Sequence, residues 1–241
     1  MPLTKIEKRD ASTGATTAAT VFATLHTALK IAEKDLRVEF RRSYELLSVL
    51  TFSLASILVC SFVSGASATP VVSAAFLWVI LFFASILVFT TSFTREADKG
   101  TLLGLKTIPC NALAILLGKI FYGAALLFLV EIVLLACAVV FLNAAFRAEI
   151  LFVFFLGALS LASAGSFISA LVMFSEGKTL LLSFLLFPVS LPVLISGSAA
   201  TAKMLGGSTF GEIMPAIELL IAFLLLIFLV MSLTFEFVIE E

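Results

Sequence analysis

Arg95-Glu-Ala-Asp-Lys-Gly-Thr-Leu-Leu-Gly-Leu-Lys-Thr-Ile-Pro109 stands between two apolar runs, 71–92 and 112–142, each long enough to cross a membrane. Its first half carries charge (Arg95, Glu96, Asp98, Lys99) and its second half apolar side chains (Leu102, Leu103, Leu105, Ile108), with Gly100 between them. Glycine permits a turn there, and Pro109 ends any helix before it. A helix of one or two turns with Leu102 and Leu105 on one side has the shape to enter a cleft in a soluble partner. A solvated connector is the other reading of the same residues.

The runs on either side belong to a larger pattern. The chain has 241 residues, 61% of them hydrophobic and only 13% charged, with a mean hydropathy of +1.21. Soluble domains carry about twice that share of charge. A bilayer core of about 30 Å takes roughly 20 apolar helical residues. Six stretches qualify: 46–66, 71–92, 112–142, 149–173, 179–200 and 214–238. Breaks fall at Ala68-Thr69-Pro70, at 143–149, at Ser175-Glu176-Gly177-Lys178 and at Gly206-Gly207, which sits in the longest outer connection. The expectation is an all-α polytopic protein with six transmembrane helices in the domain 46–241.

Lysine and arginine orient it. Eight precede the first span, three lie in the 93–109 insert and one, Lys178, in the fourth connection; the opposite side has only Arg147 and Lys203. Twelve against two places both termini and the insert in the cytoplasm. Lys119, inside a span, is expected to snorkel to the cytoplasmic interface. The net charge of −1 says nothing in favour of nucleic acid. Cys60, Cys110 and Cys137 are too scattered for a metal site or a disulfide framework.

Residues 1–21 mix charge with Ser, Thr, Ala and Gly and read as a disordered cytoplasmic tail. Residues 22–44 read as an amphipathic elbow helix. Leu25, Leu29, Ala32, Leu36 and Phe40 recur every three or four residues, with Lys30, Lys34, Arg37 and Arg41 as a basic rim; Ile31 and Val38 fall off the stripe. Such a helix lies flat on the membrane, with cations at lipid phosphates. Packing on the 93–109 insert is the alternative.

Within the spans, Pro188 and Pro192 each remove a backbone donor, which makes 179–200 a hinge, a path-lining stretch or a fixed kink. Ala158, Ala162, Ser166 and Ala170, flanked by Gly157, Gly165 and Ser169, form a small-residue face for close helix packing. Glu131 is the one acid deep in a span, where an unpaired charge costs about 2.5–3.5 kcal/mol or more. It sits about 18 Å along the axis from Lys119, so the two do not pair within one helix. Glu218, just after Pro215, is expected in the first turn of the last span. Gly177-Lys178-Thr179 has the look of a nucleotide motif, but the glycine a P-loop needs five residues earlier is Val172. His26 is the lone histidine, and the spans offer neither a haem-ligand pair nor paired carboxylates for an enzyme.

Glu96 and Gly100, followed by Thr101-Leu102, Leu105 and Pro109, resemble the E-x-x-x-G coupling segment of type-2 ABC exporter permeases. More narrowly, the chain resembles the CcmB family of cytochrome c maturation. The match is carried by Leu36-Arg37-Val38-Glu39-Phe40-Arg41, by Lys99-Gly100-Thr101-Leu102 through Pro109 to Lys119, and by Leu181-Leu-Ser-Phe-Leu-Leu-Phe-Pro-Val-Ser-Leu-Pro-Val-Leu-Ile195. The resemblance covers roughly 36–200; the first 20 residues are a departure from it. It implies ABC-2-type permease architecture in the cell membrane and a non-catalytic subunit, with ATP on a separate CcmA-like ATPase that engages Glu96, Gly100, Leu102, Leu105 and Pro109. It further implies CcmC-like and CcmD-like membrane subunits, a CcmE-like haem chaperone, haem held by those partners, and a homodimer. A permease for a drug, lipid or saccharide, and a secondary transporter, are the competing functions.

Overall fold

The computed structural model describes the backbone of residues 4–41, 44–65, 69–92, 112–144, 147–173 and 175–240, and side chains within 22–41, 44–65, 69–90, 113–144, 147–173 and 175–234. The elements are α1 (Thr4–Arg41), α2 (Tyr44–Ser64), α3 (Pro70–Ser92), α4 (Ala112–Phe141), α5 (Ala148–Val172), α6 (Lys178–Leu205) and α7 (Phe210–Glu240). The described residues contain no strand. Helices α2 to α7 are each long and apolar enough to cross a membrane, matching the six expected spans.

Two ends of the bundle follow from the connections. At the insert end lie the end of α3, the start of α4, the α5–α6 turn and α1. At the far end Ser61 of α2 donates to the carbonyl of Phe141 at 2.7 Å, and Arg147 donates to that of Ser208 at 2.8 Å.

Helix α5 is the axis. It packs on α3, α4, α6 and α7, and 72% of its span is buried against 17% for α2. The small-residue face is the cause. Gly157, Ala158, Ala162, Gly165, Ser166, Ser169 and Ala170 are all buried, so neighbouring backbones approach closely. Beside that face, Ser160 and Ser163 return their hydroxyls to their own helix, to the carbonyls of Leu156 and Leu159, each at 2.8 Å. This leaves few polar groups facing the packed interior.

Three boundaries differ from the sequence expectations. Helix α1 begins at Thr4, so the stretch expected to be a disordered tail is helical. It holds Ala11, Ala15, Ala18 and Ala19 with no proline after Pro2, and extending an existing helix is far easier than nucleating one. Helix α6 runs on to Leu205, where Gly206 and Gly207 end it by donating to the carbonyls of Ala202 and Met204; Gly207 takes φ +87°. Helix α7 starts at Phe210. Glu212 reaches back over its start, where Oε1 accepts the Thr209 hydroxyl at 2.9 Å and the Thr209 N–H at 3.4 Å, and Lys203 donates to the Glu212 carbonyl at 3.1 Å. The longest outer connection anticipated from sequence thus shrinks to 206–209. Glu212, not Glu218, is the first-turn acid, and Pro215 lies inside the helix.

Gly177 takes φ +72° in the α5–α6 turn, a conformation costly for other residues, and directly precedes α6. A helix, not a strand, leads into Gly177-Lys178-Thr179, which removes the structural context of a phosphate loop.

Candidate coupling region at the insert end

Glu96, Gly100, Leu102, Leu105 and Pro109 lie outside the described residues. The two helices from which their segment hangs, α3 and α4, are described, and their packing determines what a displaced insert would move.

Near the end of α3, Phe89 is fully buried between α4 and α5. A Cβ on Gly123 of α4 would stand 2.3 Å from its ring, and one on Gly165 of α5 would stand 2.2 Å away. Both positions therefore have to be glycine for the ring to seat. Ser169 of α5 donates to the Phe89 carbonyl at 2.9 Å, fixing the height of the contact. Three turns farther along α3, Trp78 repeats the device. Its indole lies against Gly157 of α5 and Gly197 of α6, where an added Cβ would fall within 2.3 Å, and its Nε1 donates to Thr201 Oγ1 at 2.9 Å. Helix α3 is thus keyed into α4, α5 and α6 by two aromatic wedges, so it does not shift alone.

Helix α4 is held by α1. Gly118 admits Ile31, whose Cβ lies 2.8 Å from where a glycine Cβ would be. Lys119 Nζ meets Asp35 Oδ2 at 2.9 Å, with Lys119 3% exposed. Tyr122 donates its hydroxyl to Glu39 Oε2 at 3.0 Å, and both residues are buried. Lys119 therefore does not snorkel: a pairing acid arrives from α1, and pairing within the protein replaces the interface as its way of being solvated. Beyond this contact a cavity of about 170 Å³ lies among α1, α2, α3 and α4, with Glu39, Glu45 and Tyr122 at its polar side and Leu87, Leu126 and Val130 on its apolar wall.

The elbow helix has three sides. Ala28, Ile31, Ala32 and Glu39 are buried, whereas Leu25, Leu29 and Phe40 of the anticipated stripe are exposed together with Phe22. Ile31, read as off the stripe, is the residue that packs. The anticipated stripe is therefore split: Ala32 and Leu36 turn toward the bundle, and Leu25, Leu29 and Phe40 face away from it, where lipid would lie. Lys30, Arg37 and Arg41 stand exposed on the third side with Lys34, which pairs with Asp35 at 3.1 Å; Arg37 pairs with Glu33 at 2.8 Å. The face packed on α4, with Asp35 and Glu39 one turn apart, was missed from sequence. The signal was present as an i, i+4 acid pair set between the apolar and basic stripes.

The other anticipated site residues are dispersed. Helix α6 passes through Pro188 and Pro192 as one helix; Pro188 is exposed, and Ser196 donates to the Pro192 carbonyl at 2.6 Å. Glu131 is fully buried, with neither carboxyl oxygen hydrogen-bonded among the described residues. The prolines and Glu131 occupy different kinds of surface and form no common site.

A search among curated proteins matches none. The family model described as CcmB protein matches residues 26–240, which takes in the elbow, the insert and all six spans. With a lateral helix, six spans and a keyed pair of helices around the insert already in place, that match over nearly the whole chain means that the chain belongs to the CcmB family, multi-pass membrane permease subunits of haem export and cytochrome c maturation.

Proposed function

We propose that the chain is the force-receiving membrane subunit of an ABC transporter complex. In this reading a CcmA-like ATPase docks on Glu96, Gly100, Leu102, Leu105 and Pro109, and ATP is hydrolysed on that partner. The observation that carries the proposal is the keying of α3 and α4: the Phe89 wedge and the α1–α4 contacts tie both stems of the insert into the bundle, so a push on the insert enters it at once. The bias of lysine and arginine supports placing the insert and both termini in the cytoplasm.

The complex also holds CcmC-like and CcmD-like subunits, and its stroke releases the haem-loaded CcmE-like chaperone at the far face. Haem is cargo handled by those partners. Exposed apolar side chains on α2 (Phe62, Val63) and α6 (Leu180, Phe184) leave surface for lipid and for a second copy, which supports a homodimer. The basic side of α1 (Lys30, Lys34, Arg37, Arg41) rests on anionic headgroups while Leu25, Leu29 and Phe40 enter the acyl region. Family membership favours this cargo over a drug, lipid or saccharide.

Co-purification with the ATPase subunit tests the proposal. Leu102→Asp with Leu105→Asp places two charges in the docking face and is expected to abolish recovery of the ATPase while leaving the chain in the membrane. Unchanged recovery defeats the coupling role.

A further inference from the structure

We infer that α1 is a moving part that travels with α4, and that Asp35, Glu39, Lys119 and Tyr122 are the positioning residues that make it do so. The inference rests on the coupling role proposed for the insert. Covalently α1 leads into α2, and a surface anchor would be expected to stay with the span it precedes. The packing is the reverse: α1 lies chiefly along α4 and barely touches α2.

The chemistry of the α1–α4 contact suits transmission rather than simple adhesion. Apolar packing alone would hold two helices together yet let them slide. Here Lys119 meets Asp35 at 2.9 Å and Tyr122 meets Glu39 at 3.0 Å, with Lys119, Tyr122 and Glu39 each less than 5% exposed. A slide by one turn would part both pairs. Since Asp35 and Glu39 are one turn apart, only one of the pairings could be replaced, which leaves buried Lys119 or buried Tyr122 without its acid. A buried pair adds little net stability over apolar packing, but losing one partner is costly, so its use is to fix register. The seat of Ile31 in the Gly118 notch blocks the same slide sterically. Both contacts lie within the first three turns of α4, directly after the insert. A stroke delivered to the insert would therefore carry α1, with its basic and apolar sides, across the membrane surface.

Spin-label distances in the full complex with its ATPase subunit test this, in a background with Cys60, Cys110 and Cys137 replaced. Leu29 on α1, Leu47 on α2 and Ala125 on α4 are exposed labelling sites. Between the nucleotide-free and ATP-trapped states, the Leu29–Ala125 distance is expected to hold while Leu29–Leu47 changes by more than about 2 Å, the size of an ordinary helix shift. Asp35→Asn with Lys119→Met removes the ion pair of the latch without stranding a buried charge; it should widen the Leu29–Ala125 distribution on ATP trapping. The reversed pair Asp35→Lys with Lys119→Asp should narrow it again. A constant Leu29–Leu47 distance, or a Leu29–Ala125 distribution indifferent to the latch variants, overturns the inference. If the wild-type ATPase fails to co-purify at all, the coupling reading itself has failed, which is a separate outcome.

Discussion

The two ends of the wedge-and-latch system bury very different chemistry. Where α1 meets α4, Glu39, Lys119 and Tyr122 are buried and Asp35 is half-buried, and each has a partner across the helix interface. Where α3 meets α4, α5 and α6, the contacts are aromatic rings in glycine notches, with the single Trp78–Thr201 and Ser169–Phe89 hydrogen bonds as locators. Glu131, on α4, fits neither chemistry, being buried without a hydrogen bond among the described residues. The contrast teaches that close packing holds the interior together, while charge selects how the outermost helix is aligned.

Substitutions can break that contrast. Trp78→Ala empties the largest wedge and is expected to cost about 3–5 kcal/mol, read as a lower unfolding midpoint in detergent. A loss no larger than that of a surface change would mean that the notches are incidental. Glu131→Leu removes buried polar atoms that lack hydrogen bonds among the described residues and is expected to gain about 1–3 kcal/mol in the same measurement. A loss instead would assign Glu131 to the polar, partnered class, with its partner supplied in the assembled complex. Arg37→Ala breaks an exposed pair on α1, and the expected change is only about 0.3–0.5 kcal/mol. Its clearer signature is in the isolated α1 peptide, residues 22–41, where the change is expected to weaken association with vesicles containing anionic lipid more than with neutral ones. An equal effect on both would remove the electrostatic role from the basic side.

Much of the fold was legible before the structure. Runs of twenty or more apolar residues admit few other readings, and the four-residue spacing of Ala158, Ala162, Ser166 and Ala170 correctly marks α5 as the helix that others pack on. Local signals resolve helix ends when they are noticed: Thr209 and Glu212 form a capping pattern, and overlooking it placed the start of α7 four residues late. What was not legible depends on partners remote in the chain. Nothing near Lys119 shows that Asp35 will reach it, and nothing near Gly197 shows that a tryptophan more than a hundred residues earlier will rest on it. Ile31 was set aside because it misses the lipid-side stripe; one helix has room for a second apolar face, and periodicity counted against a single face does not find it. The resemblance identified the family, but the insert itself lies outside the described residues, so Glu96, Gly100, Leu102, Leu105 and Pro109 rest on pattern alone.

The brevity of the loops at the far end carries a consequence for traffic. Only four residues separate α6 from α7, and the two other links on that side have five and six. Six residues fully stretched reach at most about 20 Å, and a link that must double back projects much less. None of these links is long enough to carry a domain of its own. If the proposed release takes place at that face, the acceptor, and not these short links, has to supply the reach.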